Sequence, residues 1–430
     1  MADEWQYFDV APSAARLTGS LRDIGYDFQT AVADIVDNSI AAGATRVDVG
    51  LRFEPNASFV LISDDGCGMR PADVLEALRF GSRRGYARNE LGRFGLGLKT
   101  ASFSQCRRLT VVSRHTPTRS TGTVRTIDLD FIERCDAWAV LADESGRAVD
   151  RAREILRDGP GTVVAWEKLD RVLPNRFAES GWGRRRLDSL ARRTAEHLGM
   201  VFHRFISGSH GVSPVTISVN DEKLEPWDPF ATAEAATVAL EPEIFEVEVG
   251  GSSSDVLFRG YVLPPRDRFS TAEQFERMSG PLKWNRQQGL YIYRADRLVQ
   301  YGGWNGMRGI DEHTKLARAS IDFDTDLDEA FQINVAKMSV VLPAALKHMV
   351  ERPVHELCMR ADSAYRQANS TTAERKPSTK SGTADGVGLR EIGVAIKAAL
   401  MEGANDLPAF RTALAVLRDR NPDLAARLGI

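Results

Sequence analysis

The hydrophobic pattern predicts an α+β fold: helices interleaved with a mixed or antiparallel sheet, then a second α/β unit, then a short helical module. Three observations carry this. Stretches with helical spacing of apolar residues are interleaved with short alternating or wholly apolar runs. Helices do not recur after every strand, which excludes a strict βαβ repeat. At 430 residues, 43% hydrophobic and 27% charged, the chain has the composition of two or three ordinary globular domains.

The first helix with a clear signature lies between Tyr26 and Gly43. Phe28, Ala31, Val32, Ile35, Val36 and Ile40 fall on helical spacing, and Gly43 suits a C-cap. Val47, Val49 and Leu51 alternate as in a strand, and Phe59–Ile62 form a short apolar run. The turn Asp64-Asp65-Gly66-Cys67-Gly68 follows, and a helix starts near Pro71, a residue suited to the first helical position. Residues 81–98 are rich in Gly, Arg and Ser and read as a loop entering a helix at about Leu96–Ser104. Strands are expected near 109–114, 123–129 and 161–167, completing a first unit over 1–175.

The second unit, 176–366, opens with a basic helix over roughly Arg184–Leu198. Strands follow at 214–219, 244–249, 256–263, 289–294 and 318–323, and a helix over Ala344–Tyr365 closes it. Residues 367–387 are polar and read as a disordered linker, and 388–430 return to helical periodicity as a small C-terminal module.

Lys+Arg 56 against Asp+Glu 59 gives a net charge of −3, which excludes a globally basic nucleic-acid coat but not a local basic patch. Cys67, Cys106, Cys135 and Cys358 form no CxxC pair, so neither a zinc site nor a disulfide scaffold is expected. The segment MADEWQYFDVAPS lacks an apolar core, and no run of 18 apolar residues occurs, so the expected setting is cytoplasmic, with no membrane partner.

Three constellations bear chemistry. Asp34 and Asn38 lie four apart on the first helix and share a face, with Asp37 nearby. A carboxylate beside an amide oxygen suits Mg²⁺ and an activated water, because Mg²⁺ takes hard oxygen ligands and few of them from protein. A solvated helix face would carry the same residues. Asp64-x-Gly66-x-Gly68, then Met69, follows a strand; its glycines permit a sharp turn close to a ligand, and its aspartate can accept from an exocyclic amine such as adenine N6. A simple turn has the same composition. Gly92-x-x-Gly95-x-Gly97 enters a helix, where glycine amides can bind phosphate. Alone this is a weak signal, and its spacing is not the dinucleotide fingerprint.

In this order, DIVDNSIAAGA, DDGCGM and GRFGLGLKTA resemble the N, G1 and G2 boxes of the GHKL ATPases, the superfamily of DNA gyrase, the ninety-kilodalton heat-shock chaperone, sensor histidine kinases, MutL and MORC proteins. Gly161-Thr162 resembles the last adenine-side motif, and the resemblance covers about residues 20–170. It implies a Bergerat-type α/β sandwich that binds ATP with Mg²⁺. Asn38 would hold the metal, Asp64 would take the adenine amine, and Gly66, Gly68, Met69 and Thr162 would line that end. Gly92, Gly95 and Gly97 would wrap the phosphates, with Lys99 following the lid. Asp34 would be the general base, although most hydrolysing members carry Glu there.

The second unit would then be an S5-like transducer domain. Phe331–Lys337 (FQINVAK) resembles the transducer loop of MutL and MORC proteins, whose lysine, here Lys337, reaches the γ-phosphate; a surface lysine fits the same residues. Gln287–Leu298 (QQGLYIYRADRL) and Gly302-Gly-Trp304 resemble prokaryotic MORC-type ATPases, found beside restriction-modification and other phage-defence genes. The resemblance implies a homodimer formed on ATP binding, acting as a clamp or switch on DNA with a partner nuclease or helicase. Arg184, Arg185, Arg186, Arg192 and Arg193, with Arg83 and Arg84 in the lid, are candidate contacts to a phosphate backbone or a solvated face. A chaperone-like remodeller of protein, or a nucleotide-sensing module with negligible hydrolysis, shares the same boxes.

Overall fold

The computed structural model describes residues 12–23, 25–81, 97–115, 122–142, 145–174, 180–249, 252–333, 340–374 and 415. The chain divides into two units, Met1–Ala368 and Asn369–Ile430, and the fold below belongs to the first. The small helical module expected over 388–430 lies outside the described residues apart from residue 415.

Two sheets organise the first unit. The first has seven strands: β1 (Arg46–Arg52), β2 (Phe59–Asp64), β3 (Arg108–Arg114), β4 (Thr123–Asp128), β5 (Gly161–Glu167), β6 (Thr216–Val219) and β7 (Glu222–Lys223), in the order β4-β3-β5-β2-β1-β6-β7. All neighbours are antiparallel except β1 and β6. The second sheet contains β8 (Val238–Ala239), β9 (Glu243–Val249), β10 (Ser252–Val262), β11 (Gly289–Arg294), β12 (Arg297–Tyr301) and β13 (Ala317–Phe323). Its order is β12-β11-β13-β10-β8, with β9 also paired to β10 and β11 parallel to β13.

The helices are α1 (Ala14–Arg22), α2 (Phe28–Ala41), α3 (Pro71–Leu78), α4 (Gly97–Phe103), α5 (Leu129–Cys135), α6 (Arg147–Ile155), α7 (Gly181–Val201), α8 (His203–Ser207), α9 (Ala272–Met278), α10 (Lys283–Gln287) and α11 (Ala344–Glu374). The side chain of Asp27 accepts from Thr30 N at 2.7 Å, capping α2, and Gly43 follows its end at φ +74°. Pro71 opens α3 as its sequence position predicts.

The apolar run in β2 is explained by burial on both faces. Val60 and Ile62 join a core with α2, α4 and α7, whereas Phe59 and Leu61 meet α6 through Ala148, Val149 and Ala152. Trp166 anchors the first core: its indole N–H donates to Ser102 Oγ at 2.8 Å, and its ring meets Phe28 edge-on. A separate core fills the second sheet around Tyr291, Tyr293, Phe258, Ile321 and Leu346.

Two boundaries differ from the sequence reading. The first sheet does not end near 175, because β6 and β7 complete it beside β1, and α7 packs into its core through Leu187, Leu190 and Leu198. The strand expected at 214–219 therefore belongs to the first sheet and not to the second unit. Periodicity finds the strand but says nothing of its neighbour. The last helix also runs to Glu374, into the stretch read as linker. Residues 366–374 contain neither glycine nor proline, and the next proline is Pro377, so polarity there did not mark a break.

Candidate nucleotide site

α2 supplies one wall. Asp34 and Asp37 are buried, at 3% and 0% exposure, while Asn38 is exposed and makes no side-chain hydrogen bond among the described residues. Its amide oxygen is therefore open to a cation, which fits a site that takes Mg²⁺ mainly through phosphate and water oxygens. Tyr26 donates its hydroxyl to Asp34 Oδ2 at 2.8 Å. Burial, and then the charge of Asp34, raises the pKa of that phenol, so it stays a donor. Gly97 opens α4 beside this carboxylate: a Cβ there would stand 3.6 Å from Asp34 Oδ2.

The other end is built around Asp64, the last residue of β2. Its Oδ1 accepts from Gly66 N at 3.0 Å and Thr162 N at 3.2 Å, and its Oδ2 accepts from Ser39 Oγ at 2.9 Å. Burial raises its pKa, and the bonds from Gly66, Ser39 and Thr162 oppose that shift. A carboxylate offers about four lone-pair directions. Among the described residues three are used, two on Oδ1 and one on Oδ2. Ser39 lies on α2, so its bond to Asp64 ties the two ends into one frame.

Ser113 of β3 is the hub beneath this end. Its hydroxyl accepts from Met69 N at 2.8 Å, lies 2.9 Å from Thr162 Oγ1 and 3.1 Å from the Gly161 carbonyl oxygen. The glycines here serve the protein's own packing. Gly68 has φ +64°, and a Cβ on it would collide with the Arg114 carbonyl; one on Gly161, at φ +149°, would collide with the Asp64 carbonyl. Gly66 has more room, its Cβ position being 2.9 Å from Ala42 O.

The remaining predicted residues fall as follows. Lys99 is buried, donates to the Ala77 carbonyl at 2.9 Å and stands over the Phe80 ring. Burial lowers its pKa to about 8. It braces α4 against the C-terminal end of α3. Gly92, Gly95, Arg83, Arg84 and Lys337 lie outside the described residues. The described residues on either side of Lys337 are joined by the bond from Val341 N to Phe331 O at 3.1 Å. On α7, Arg184, Arg185, Arg192 and Arg193 are exposed and Arg186 is half-buried, and none has an ion pair among the described residues. That helix belongs to the first sheet's core, not to the second unit as expected.

Sequence reasoning missed Tyr26, Ser39, Ser113 and Arg297. Ser39 directly follows Asn38 and was within reach of the motif. Ser113 and Arg297 carry no local signal, because their partners lie far along the chain. Arg297, the first residue of β12, donates through Nε to Asp37 Oδ1 at 2.8 Å. No described helix is long and apolar enough to cross a membrane, and the four cysteines are free.

A carboxylate acceptor at a strand end and an acidic, amide-bearing helix are held in one frame, with Gly97 at the start of α4 beside it. Residues 26–162 match the family described as histidine kinase-, DNA gyrase B-, and HSP90-like ATPase. Within it the chain is MORC- and MutL-like. It is 38% identical to the human ATPase MORC2 over 77 residues, which are 17% of this chain and 8% of that one. It is 47% identical over 49 residues to the DNA mismatch repair protein MutL of Paramagnetospirillum magneticum, 11% of this chain and 8% of the relative. Against Protein MICRORCHIDIA 5 of Arabidopsis thaliana it is 31% identical over 126 residues, 26% of this chain and 18% of the relative. The matched segments thus span under a fifth of each of these relatives.

Proposed function

We propose that the chain binds and hydrolyses ATP and uses the cycle as a dimerising switch or clamp in DNA transactions. The observation that carries the reading is the frame joined by Ser39. It holds the Asp64 acceptor at one end and the Asp34–Asn38 face beside Gly97 at the other. Asp64 receives the adenine amine, and Thr162 and Met69 are held around it by Ser113. Asn38 offers its amide oxygen to Mg²⁺, which when bound offsets charge on the phosphate oxygens. Asp34 takes the proton of the attacking water as the γ-phosphorus–oxygen bond to ADP breaks.

Contacts to a γ-phosphate can order a loop and dock a second domain, and their loss on hydrolysis releases both. Lys337 is the residue proposed to report that state. The DNA role is supported by the likeness to a mismatch repair protein and by the exposed arginines of α7, which suit sequence-independent phosphate contacts. Restriction or phage defence, with a partner nuclease or helicase, is the proposed setting.

The deciding experiment compares wild type with Asp34→Asn and Asp34→Glu by steady-state phosphate release and ADP calorimetry. Asp34→Asn should keep ADP affinity and lower kcat by about 10²-fold or more. Turnover equal to wild type would remove Asp34 from the mechanism.

A further inference from the structure

Asp34 and Asp37 are buried where α2 meets the second sheet, and Arg297 reaches them from there. The arginine is 2% exposed, with Nε 2.8 Å from Asp37 Oδ1 and a terminal nitrogen 3.8 Å from Asp34 Oδ1. The Phe202 ring lies 5.8 Å from the guanidinium carbon. Asp34 therefore stands between a phenol, Tyr26, on one oxygen and this guanidinium near the other. At 3.8 Å the second contact is electrostatic, too long for a hydrogen bond. The firm bond is to Asp37, one helical turn further along the same α2.

The hairpin that delivers Arg297 is strained and pinned. Ala295 and Asp296 form its two-residue turn at φ +45° and +64°. Alanine in the left-handed region costs about 1–2 kcal/mol, and hairpins of this kind favour Asn-Gly or Asp-Gly. Both sides of the tip are tied down: Ala295 N donates to Phe323 O at 2.9 Å, and Arg204 donates to Asp296 Oδ1 at 3.0 Å. Arg204 also pairs with Asp322 of β13 and stacks on Tyr293, 3.5 Å from its ring centroid. Strain of this kind persists where neighbours over-determine it, and it marks a place where geometry is being held. A wholly buried arginine–aspartate pair adds little stability over an apolar pair of equal volume, and its best-attested use is to fix register.

We propose that Arg297 is a positioning residue for hydrolysis: from the second sheet it fixes where α2 holds Asp34, so that movement of that sheet is felt at the carboxylate that takes the proton. The inference rests on the hydrolytic reading above and adds to it a mechanical link between the two sheets. That link is independent of Lys337.

The test uses the full chain in three forms: wild type, Arg297→Lys, and the double variant Arg297→Met with Asp37→Asn. The double variant removes the bonded pair at near-constant volume and leaves Asp34 its bond from Tyr26, though without the cation 3.8 Å away, so the melting curve is read before the kinetics. Phosphate release gives kcat and KM; calorimetry gives ADP affinity; thermal melting confirms the fold. Expected for the double variant is a kcat at least about tenfold lower, the scale of a small misplacement, with KM and ADP affinity within about twofold of wild type. Arg297→Lys should fall between, since an ammonium keeps the charge but not the planar fork. A folded double variant with wild-type kcat overturns the inference and leaves the ATPase reading intact. Equal losses of kcat, ADP affinity and melting temperature also overturn it, because a merely structural pair behaves that way. Wild type that binds ADP but releases no phosphate overturns the hydrolytic reading, and the inference falls with it.

Discussion

Asp64→Asn tests the nucleotide site at its most constrained point. The oxygen at Oδ1 faces two N–H donors, from Gly66 at 3.0 Å and Thr162 at 3.2 Å, so an amide NH₂ cannot sit there. The asparagine must therefore keep its carbonyl oxygen at Oδ1 and place its nitrogen at Oδ2. There Ser39 Oγ, now 2.9 Å away as donor, can rotate its proton and accept instead. The fold is thus retained, and burial, which penalises the ionised Asp64, no longer meets a charge. The ligand fares differently. The acceptor at Oδ2 becomes an N–H, so an incoming amine meets a donor. Losing a bond to a charged acceptor costs about 1.5–3 kcal/mol, a loss of roughly 10- to 150-fold in affinity. Calorimetry with ADP and ATP measures this, with thermal melting as the control. A variant that melts like wild type and binds both nucleotides like wild type would refute the role of Asp64 as the adenine acceptor.

Two further outcomes are expected. Lys337→Ala should lower hydrolysis strongly, leave ADP affinity nearly unchanged and weaken the dimer formed with a non-hydrolysable ATP analogue, because the contact proposed for this lysine is to the γ-phosphate, which ADP lacks; equal light-scattering masses for both proteins under the analogue would leave Lys337 without a switching role. The pH dependence of stability should carry a signature of His203, whose ring nitrogen lies 2.9 Å from the Tyr293 hydroxyl. Burial lowers its pKa from 6.5 to about 3, with Asp228 opposing and Arg204 assisting. The unfolded chain then binds a proton that the folded one refuses, so stability present above pH 6.5 is lost as pH falls toward 3, by up to about 1.4 kcal/mol per unit from this group. His203→Gln should flatten the melting-temperature profile between about pH 6.5 and 5; a profile parallel to wild type would assign the acid sensitivity to other groups.

The parts of the site that were legible in the sequence are those that act through local spacing. Asp34 and Asn38 share a helix face because four residues make about one turn, and Asp64 sits at a strand end because an apolar run precedes a glycine turn. Thr162 was found only through resemblance. Its amide meets Asp64 because β5 runs antiparallel to β2 with Thr162 opposite Asp64, a register that no local pattern encodes. Arg297 is the extreme case. Its partner Asp37 lies on a different element of the other sheet's core, and its own surroundings in QQGLYIYRADRL read only as a strand and a turn. The glycine turn was legible as a place of close backbone approach, and at Gly68 the backbone that a Cβ would meet is the protein's own, at Arg114.

The parallel pairing of β6 with β1 governs the order in which the chain can acquire its shape during synthesis. The outer edge of β1 is covered by Thr216–Val219, which leave the ribosome only after α7 has been made. Until then the strand bearing Val47 and Val49 presents open N–H and C=O groups, the template that a second nascent chain can extend. Closing so long a loop is slow, and the interval is one of exposure to strand addition between copies. A fragment cut at residue 175 would retain Asp34, Asn38, Asp64 and Thr162 yet leave that edge permanently bare. A piece of this protein that keeps the β1 edge covered therefore extends at least through Val219, well beyond the last residue of the nucleotide motifs.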